Sequence, residues 1–361
     1  MSEAELPDPT AVEGAPHPRD TGHLYGQSRA EADFLDAFNT GRLHHGWMLT
    51  GPRGVGKATL AWRIARFLLT QQGAARTLDT DPESPVARRI RAGAEPGVFV
   101  LKRGMNDRET ALSQDIRVDE VRRLKSFLFL SAAEGGRRVV IVDAADEMNT
   151  QAANALLKLL EEPPERVTFL LVTHQPARLL PTIRSRCREL RLVPLAPGDM
   201  AQALAQAGIE TEGDDTPALA ALAAGSVGEA VRLIRLDGLE GYTRLVRLFA
   251  TLPRLDRPQA IALAEQMAGK QNETRLDLML SLIDTFLARL ARSGVQGPPV
   301  PEAAPGESEL FARLAPNAAA AMKWASLQQS LGARARHGRG VNLDPAALVM
   351  DMVLEMTTAA A

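Results

Sequence analysis

Four short apolar runs mark the first half of the chain, and segments of helical period fill the intervals between them. Trp47–Thr50 and Val98–Leu101 read as strands. Val139–Val142 is β-branched or branched throughout and too apolar for a strand with one wet face, and Phe169–Val172 reads as another buried strand. Such runs belong to parallel strands covered on both sides. A helix is expected from about Arg29 to Thr40 and another from Lys57 to about Leu69. Val121, Leu124 and Leu128 share one helical face. Asn149 or Thr150 can cap a helix carrying Ala153, Leu156, Leu157 and Leu160, and Pro163-Pro164 ends it. Strand and helix alternate with short links, which predicts an α/β fold: a parallel sheet with helices on both faces. Residues 71–97 read as polar and irregular.

From about Pro194 the strand pattern stops. Residues 1–20 read as a disordered tail, 21–194 as the α/β domain, 195–237 as a small helical domain and 238–361 as an all-helical domain. Leu276, Leu280, Ile283, Leu287 and Leu290 form its apolar stripe, and a Pro/Gly-rich break falls at 294–306. No internal repeat stands out.

Composition narrows the function classes. In 361 residues the formal net charge is −2, so no basic field covers the whole chain. Direct DNA contact would then be local, with Arg88-Arg89, Arg91, Arg334, Arg336 and Arg339 as basic clusters that solvated helix faces explain equally well. The single cysteine, Cys187, excludes an intramolecular disulfide and leaves too few thiolates for a Cys-rich zinc site. A reducing cytoplasm fits. The acidic, proline-containing segment Met1–Asp20 has no apolar core of a signal peptide, and no run approaches 18 apolar residues, so neither export nor a membrane span is expected.

The candidate chemistry starts at Gly51-Pro52-Arg53-Gly54-Val55-Gly56-Lys57, between a strand and a helix. Glycines let backbone N–H groups curl around phosphate oxygens, the helix start adds partial positive charge, and the lysine adds a point charge at the terminal phosphates. The next position normally carries a Ser or Thr hydroxyl for Mg²⁺; here it is Ala58. Thr59 follows, but one step along a helix turns a side chain by roughly 100°. Nucleotide bound through Lys57 and backbone, with Mg²⁺ held poorly, and no nucleotide at all both stay open. Asp143 ends its strand where a Mg²⁺-holding aspartate belongs, but Ala144 stands where a water-activating glutamate would follow. Asp146 and Glu147 are expected to point elsewhere. Losing both parts should cost several orders of magnitude in hydrolysis.

Asp143–Pro164, containing Asn154-Ala155-Leu156-Leu157-Lys158 and Leu160-Glu161-Glu162-Pro163-Pro164, together with Leu180–Cys187 ending in Ser185-Arg186-Cys187, resembles the clamp-loader branch of the AAA+ family. Gly26-Gln27, Leu43–Trp47 and Val341–Asp344 add weaker matches. The resemblance is strongest over about 24–195. It implies an AAA+ domain, a helical lid and a helical collar for oligomerisation. It implies that Arg186 reaches into the ATP site of an adjacent subunit, where a guanidinium would neutralise charge on the γ-phosphate. It places a sensing polar residue at Thr173, and an arginine of working subunits where this chain has Gly228. Motor subunits of the branch keep an intact loop, an Asp-Glu pair and that arginine; this chain lacks all three. Delta-type subunits lack the Ser-Arg-Cys arginine; this chain has it. The combination resembles the remaining, arginine-lending type.

The partners implied are gamma or tau, delta, the sliding clamp, the polymerase III holoenzyme and, through the complex, primed DNA. The resemblance leaves ATP or ADP, held weakly or statically, across Gly51, Gly54, Val55, Gly56, Lys57, Ala58, Thr59, Asp143 and Thr173. Relatives with a four-cysteine zinc module carry it where Gln71–Gly97 has no cysteine, so no zinc is expected. His44, His45 and His174 read as packing or surface residues. The alternative reading is an active AAA+ ATPase of the gamma/tau motor kind, in which Thr59 and another acid replace the missing groups.

Overall fold

The computed structural model describes residues 8–71, 73–106, 111–130, 136–209, 215–269, 272–341 and 343–360. In chain order the elements are α1 (Ser28–Asn39), β1 (Gly46–Thr50), α2 (Lys57–Thr70), α3 (Pro85–Arg91), β2 (Val98–Leu101), α4 (Val118–Leu130), β3 (Arg138–Asp143), α5 (Thr150–Glu161), β4 (Val167–Thr173), α6 (Pro181–Arg184) and β5 (Arg188–Arg191). Helices follow: α7 (Pro197–Gln206), α8 (Thr216–Ala223), α9 (Val227–Arg235), α10 (Gly238–Ala250), α11 (Arg257–Glu265), α12 (Glu273–Gln296), α13 (Glu307–Leu314), α14 (Ala318–Gly340) and α15 (Pro345–Ala360). Two compact units result: Met1–Glu210 with Gly225–Gly228, and Thr211–Ala224 with Glu229–Ala361.

The first unit is built on a five-stranded sheet in the order β2-β3-β4-β1-β5, parallel throughout. β4 is buried along its whole length and β3 along all but its last residue, as strands with both faces covered must be. The register pairs Thr50 with Thr173 and Asp143 with Val172. The ends of β1, β3 and β4 therefore leave one edge of the sheet together, where open α/β sheets place ligand sites. α5 begins as its cap predicts: the Asn149 side chain accepts from the Ala152 amide at 2.9 Å.

Three expectations are corrected here. The stretch 71–97 is not wholly irregular: Ser84 caps α3, its hydroxyl accepting from Ala87, and Ala87 and Ile90 are buried. β5 adds a fifth strand that hydrophobic pattern does not reveal. Of Arg188-Glu189-Leu190-Arg191 only Leu190 is buried, because this edge strand sends charged side chains outward; Thr50 donates to Glu189 at 2.5 Å and Arg188 stacks on Trp47. The tail lies outside the described residues at 1–7, but from residue 8 it is laid on the domain. Lys102 donates to Asp8 at 2.7 Å, Arg66 donates to the carbonyls of Arg19 and Thr21, and Arg63 donates to that of Gly22.

The second unit is helical. α12 packs against α14 and α10, around Phe249, Phe286, Phe311 and Trp324. Its buried face is wider than the expected stripe: Met279, Leu282 and Phe286 join it, while Leu280 is only half-buried. At Gly294 a Cβ would meet the Ala321 Cβ at 2.9 Å, so the absence of a side chain lets α14 approach. Glu307, fully buried, accepts from Tyr242 at 2.6 Å and from Arg289 at 2.7 and 2.8 Å. Among the described residues no single helix is long and apolar enough to cross a membrane.

Candidate functional site: a closed phosphate loop and an outward arginine

The loop Gly51–Gly56 joins β1 to α2, and the chain turns there through left-handed backbone at Gly54 (φ 72°) and Gly56 (φ 99°). Lys57 is buried and folds back on its own loop, donating to the carbonyl of Gly51 at 2.8 Å and to that of Pro52. Burial lowers its ammonium pKa to about 8, against the opposing pull of Asp143 and Asp146. Asp143 stands at the end of β3. Burial first, and then Glu147, push its carboxyl up to about 7. Such a group is only partly ionised near neutral pH.

The loop is covered from two sides by its own unit. Leu24 lies against Gly56, where a Cβ would meet its Cδ1 at 2.5 Å. The segment Gly225–Gly228 lies against Gly54: the Gly228 amide donates to the Gly54 carbonyl at 3.3 Å, and a Cβ on Gly54 would meet Ser226 Oγ at 2.2 Å. Gln27, buried, ties this region together by donating to Val193 O at 2.7 Å and Val55 O at 3.3 Å, while accepting from the Val193 amide at 3.1 Å. The residues present do not fit a Mg²⁺–nucleotide here. No hydroxyl stands at Ala58, the lysine is engaged by its own loop, and a backbone segment rests on the glycines.

Asp146 and Glu147 do not point elsewhere, as expected from sequence. A 3-10 turn over Ala145–Glu147 brings both back to the loop. Glu147 pairs with Arg53 at 3.3 Å and Arg103 at 2.9 Å. Asp146, its side chain fully buried, pairs with His174 at 3.1 Å, so His174 is part of the site's edge. Burial lowers the His174 pKa, and Asp146 opposes that. Thr173 is fully buried, and its hydroxyl has no hydrogen-bond partner among the described residues. An acid just past a strand end, followed by a one-turn reversal, is the signal that would have found Asp146 and Glu147.

Arg186 is not gathered into this site. It lies on the turn between α6 and β5 with 37% of its side chain exposed, against Glu161 of α5. Cys187 beside it is half-buried and its thiol pKa is pushed up to about 12 by burial, so it is inert. His45 holds the Leu160 carbonyl at 3.0 Å, and His44 stacks on His45. Of the basic clusters, Arg89 pairs with Glu95, and Arg334 pairs with Asp351 and Glu355. The Arg339 side chain and Asn342 lie outside the described residues.

Comparison with known proteins bears on the same segment. Residues 26–196 match the family model described as DNA polymerase III, delta subunit. The DNA polymerase III subunit delta' of Pseudomonas aeruginosa is 45% identical over 143 residues, 40% of this chain and 41% of that protein. The delta' subunit of Escherichia coli K12 is 36% identical over 160 residues, 44% and 45% respectively. The gamma/tau subunit of Mycobacterium tuberculosis is 34% identical over 196 residues, 54% and 32%. The chain thus spans less than half the length of these curated relatives. Among solved structures, a DNA polymerase III gamma subunit-related protein of Thermotoga maritima aligns at 18% identity with a TM-score of 0.36, covering 91% of this chain and all of that one. The Thermotoga maritima RuvB Holliday junction branch migration motor aligns at 16% identity with a TM-score of 0.40, covering 77% and 80%. Through residues 26–196, just under half of its length, the chain is thus similar to subunits of DNA polymerase III, delta' and gamma/tau among them.

Proposed function

We propose that the chain is the delta-prime-type subunit of a bacterial clamp loader and that it serves by lending Arg186 to a neighbouring ATPase subunit rather than by hydrolysing ATP itself. One contrast carries the reading: the Arg186 guanidinium is at the surface, while the chain's own loop has Ala58 where a Ser or Thr hydroxyl would hold Mg²⁺ and is covered by Gly225–Gly228. A surface guanidinium supplied to another subunit's γ-phosphate stabilises charge there and makes hydrolysis depend on assembly. In this reading 195–237 acts as the lid and 238–361 as the oligomerisation collar. The partners are gamma or tau, delta and the sliding clamp, the target is primed DNA, and the compartment is the cytoplasm.

The test is a loader reconstituted with gamma or tau and delta, assayed with clamp and primed DNA. Arg186→Ala should leave assembly intact and lower ATP hydrolysis by a factor of roughly 10³ at the neighbour's site. Unchanged hydrolysis defeats the proposal. So does brisk turnover by the purified chain alone that disappears in Lys57→Ala, which would establish the motor alternative.

A further inference from the structure

The Arg186 guanidinium is held at both terminal nitrogens by its own chain. Nη2 lies 2.9 Å from Oε1 of Glu161, and Nη1 donates to the Thr182 carbonyl at 3.0 Å. Both anchors sit on fixed elements. Glu161 is the last residue of α5, whose Leu160 carbonyl is engaged by His45. Thr182 lies in α6, which is seated by the fully buried Ile183. The turn itself rests on β1: a Cβ at Gly46 would meet the Arg186 carbonyl oxygen at 3.1 Å and Cys187 Sγ at 3.2 Å.

Each terminal nitrogen of a guanidinium carries two hydrogens, so one contact on each leaves a donor free on both. The fork can be anchored and still present hydrogens to an incoming anion. We propose that Glu161 is the positioning residue of Arg186, holding the guanidinium in one rotamer so that the anionic phosphate of a neighbouring subunit meets an ordered donor. This rests on the arginine-lending function proposed above. An arginine that is already ordered loses less conformational freedom on binding than a free one. The pair is too exposed to matter much for folding, at 37% and 42%. Its consequence is therefore expected in the rate, not the stability.

The experiment uses the reconstituted loader with clamp and primed DNA, carrying Glu161→Gln, Glu161→Asp, Arg186→Ala, or Glu162→Gln as a control. Glu161→Gln should lower kcat for ATP hydrolysis roughly three- to tenfold, with KM for ATP unchanged. Glu161→Asp should recover most of that loss, and Glu162→Gln should be silent. In the isolated chain, Glu161→Gln should increase the mobility of the Arg186 Nε–H measured by NMR relaxation. An unchanged or raised kcat in Glu161→Gln, while Arg186→Ala is impaired, overturns the positioning role alone; a raised kcat would mean that Glu161 sequesters the guanidinium. A silent Arg186→Ala overturns the arginine-lending function itself.

Discussion

The amide of Gly228 donates to the carbonyl of Gly54 at 3.3 Å, backbone against backbone. A Cβ on Gly228 would meet the Gly54 Cα at 3.2 Å. The position where motor subunits of the resembled branch carry an arginine is thus a glycine in contact with the phosphate loop, where a side chain would require the two segments to give by a few tenths of an ångström.

Gly54→Ala should break this contact. The new Cβ falls 2.2 Å from Ser226 Oγ on a residue with φ 72°, so both steric overlap and left-handed backbone oppose it. A loss of about 1–3 kcal/mol is expected by chemical denaturation. Gly22→Ala, where nothing lies within 4 Å, should be close to neutral.

Ala58→Ser restores the missing hydroxyl but should leave ATP turnover by the purified chain at background, measured as phosphate release. Ala144 still lacks a carboxylate, Lys57 remains engaged by Gly51 and Pro52, and Gly54 remains covered. A hydrolysis site works only when its charges are positioned together.

Asp143→Asn should stabilise the protein above about pH 4, by an amount that grows up to about pH 7 and then levels off. The Asp143 pKa is raised from 3.8 to about 7 in the folded state, so between those values the folded chain binds more protons than the unfolded one. Stability from this group is complete below about pH 4 and is lost as pH rises through 7. The substitution removes that loss, a gain of roughly 1–3 kcal/mol at pH 8 that vanishes at pH 4. Lys57 acts in another window. Its pKa is lowered from 10.5 to about 8, so its contribution is recovered only above that range and falls away as pH drops through 8. Melting curves at pH 4, 6 and 8 check the sign.

Glu307→Ala should cost the second unit about 3–5 kcal/mol, because it strands Arg289 and the Tyr242 hydroxyl in a dry interior. Tyr242→Phe removes one donor and should cost about 1 kcal/mol. Urea denaturation followed by far-UV circular dichroism measures both.

Much of the sheet was legible because strands buried on both faces leave uninterrupted apolar runs, as in β3 and β4. β5 escaped because its side chains face outward from an edge, and α3 because a seven-residue helix shows too few turns for a period. The stripe on α12 was misdrawn by one face because Leu280 and Phe286 cannot be ranked without knowing what packs against them. At the candidate site the loop, Ala58, Asp143 and Ala144 were readable as a spacing. Asp146, Glu147 and His174 were not, since a single turn after β3 decides their direction.

By itself the sequence determined the parallel α/β domain, the helical remainder, and which chemical groups the phosphate loop lacks, because periodicity and residue identity are local properties. Tertiary structure alone decided that Gly225–Gly228 covers the loop, that Glu307 gathers Tyr242 and Arg289, and that Glu161 meets Arg186. Those contacts join residues 18 to more than 170 positions apart, and only the packing of the elements between them brings such groups within hydrogen-bonding distance.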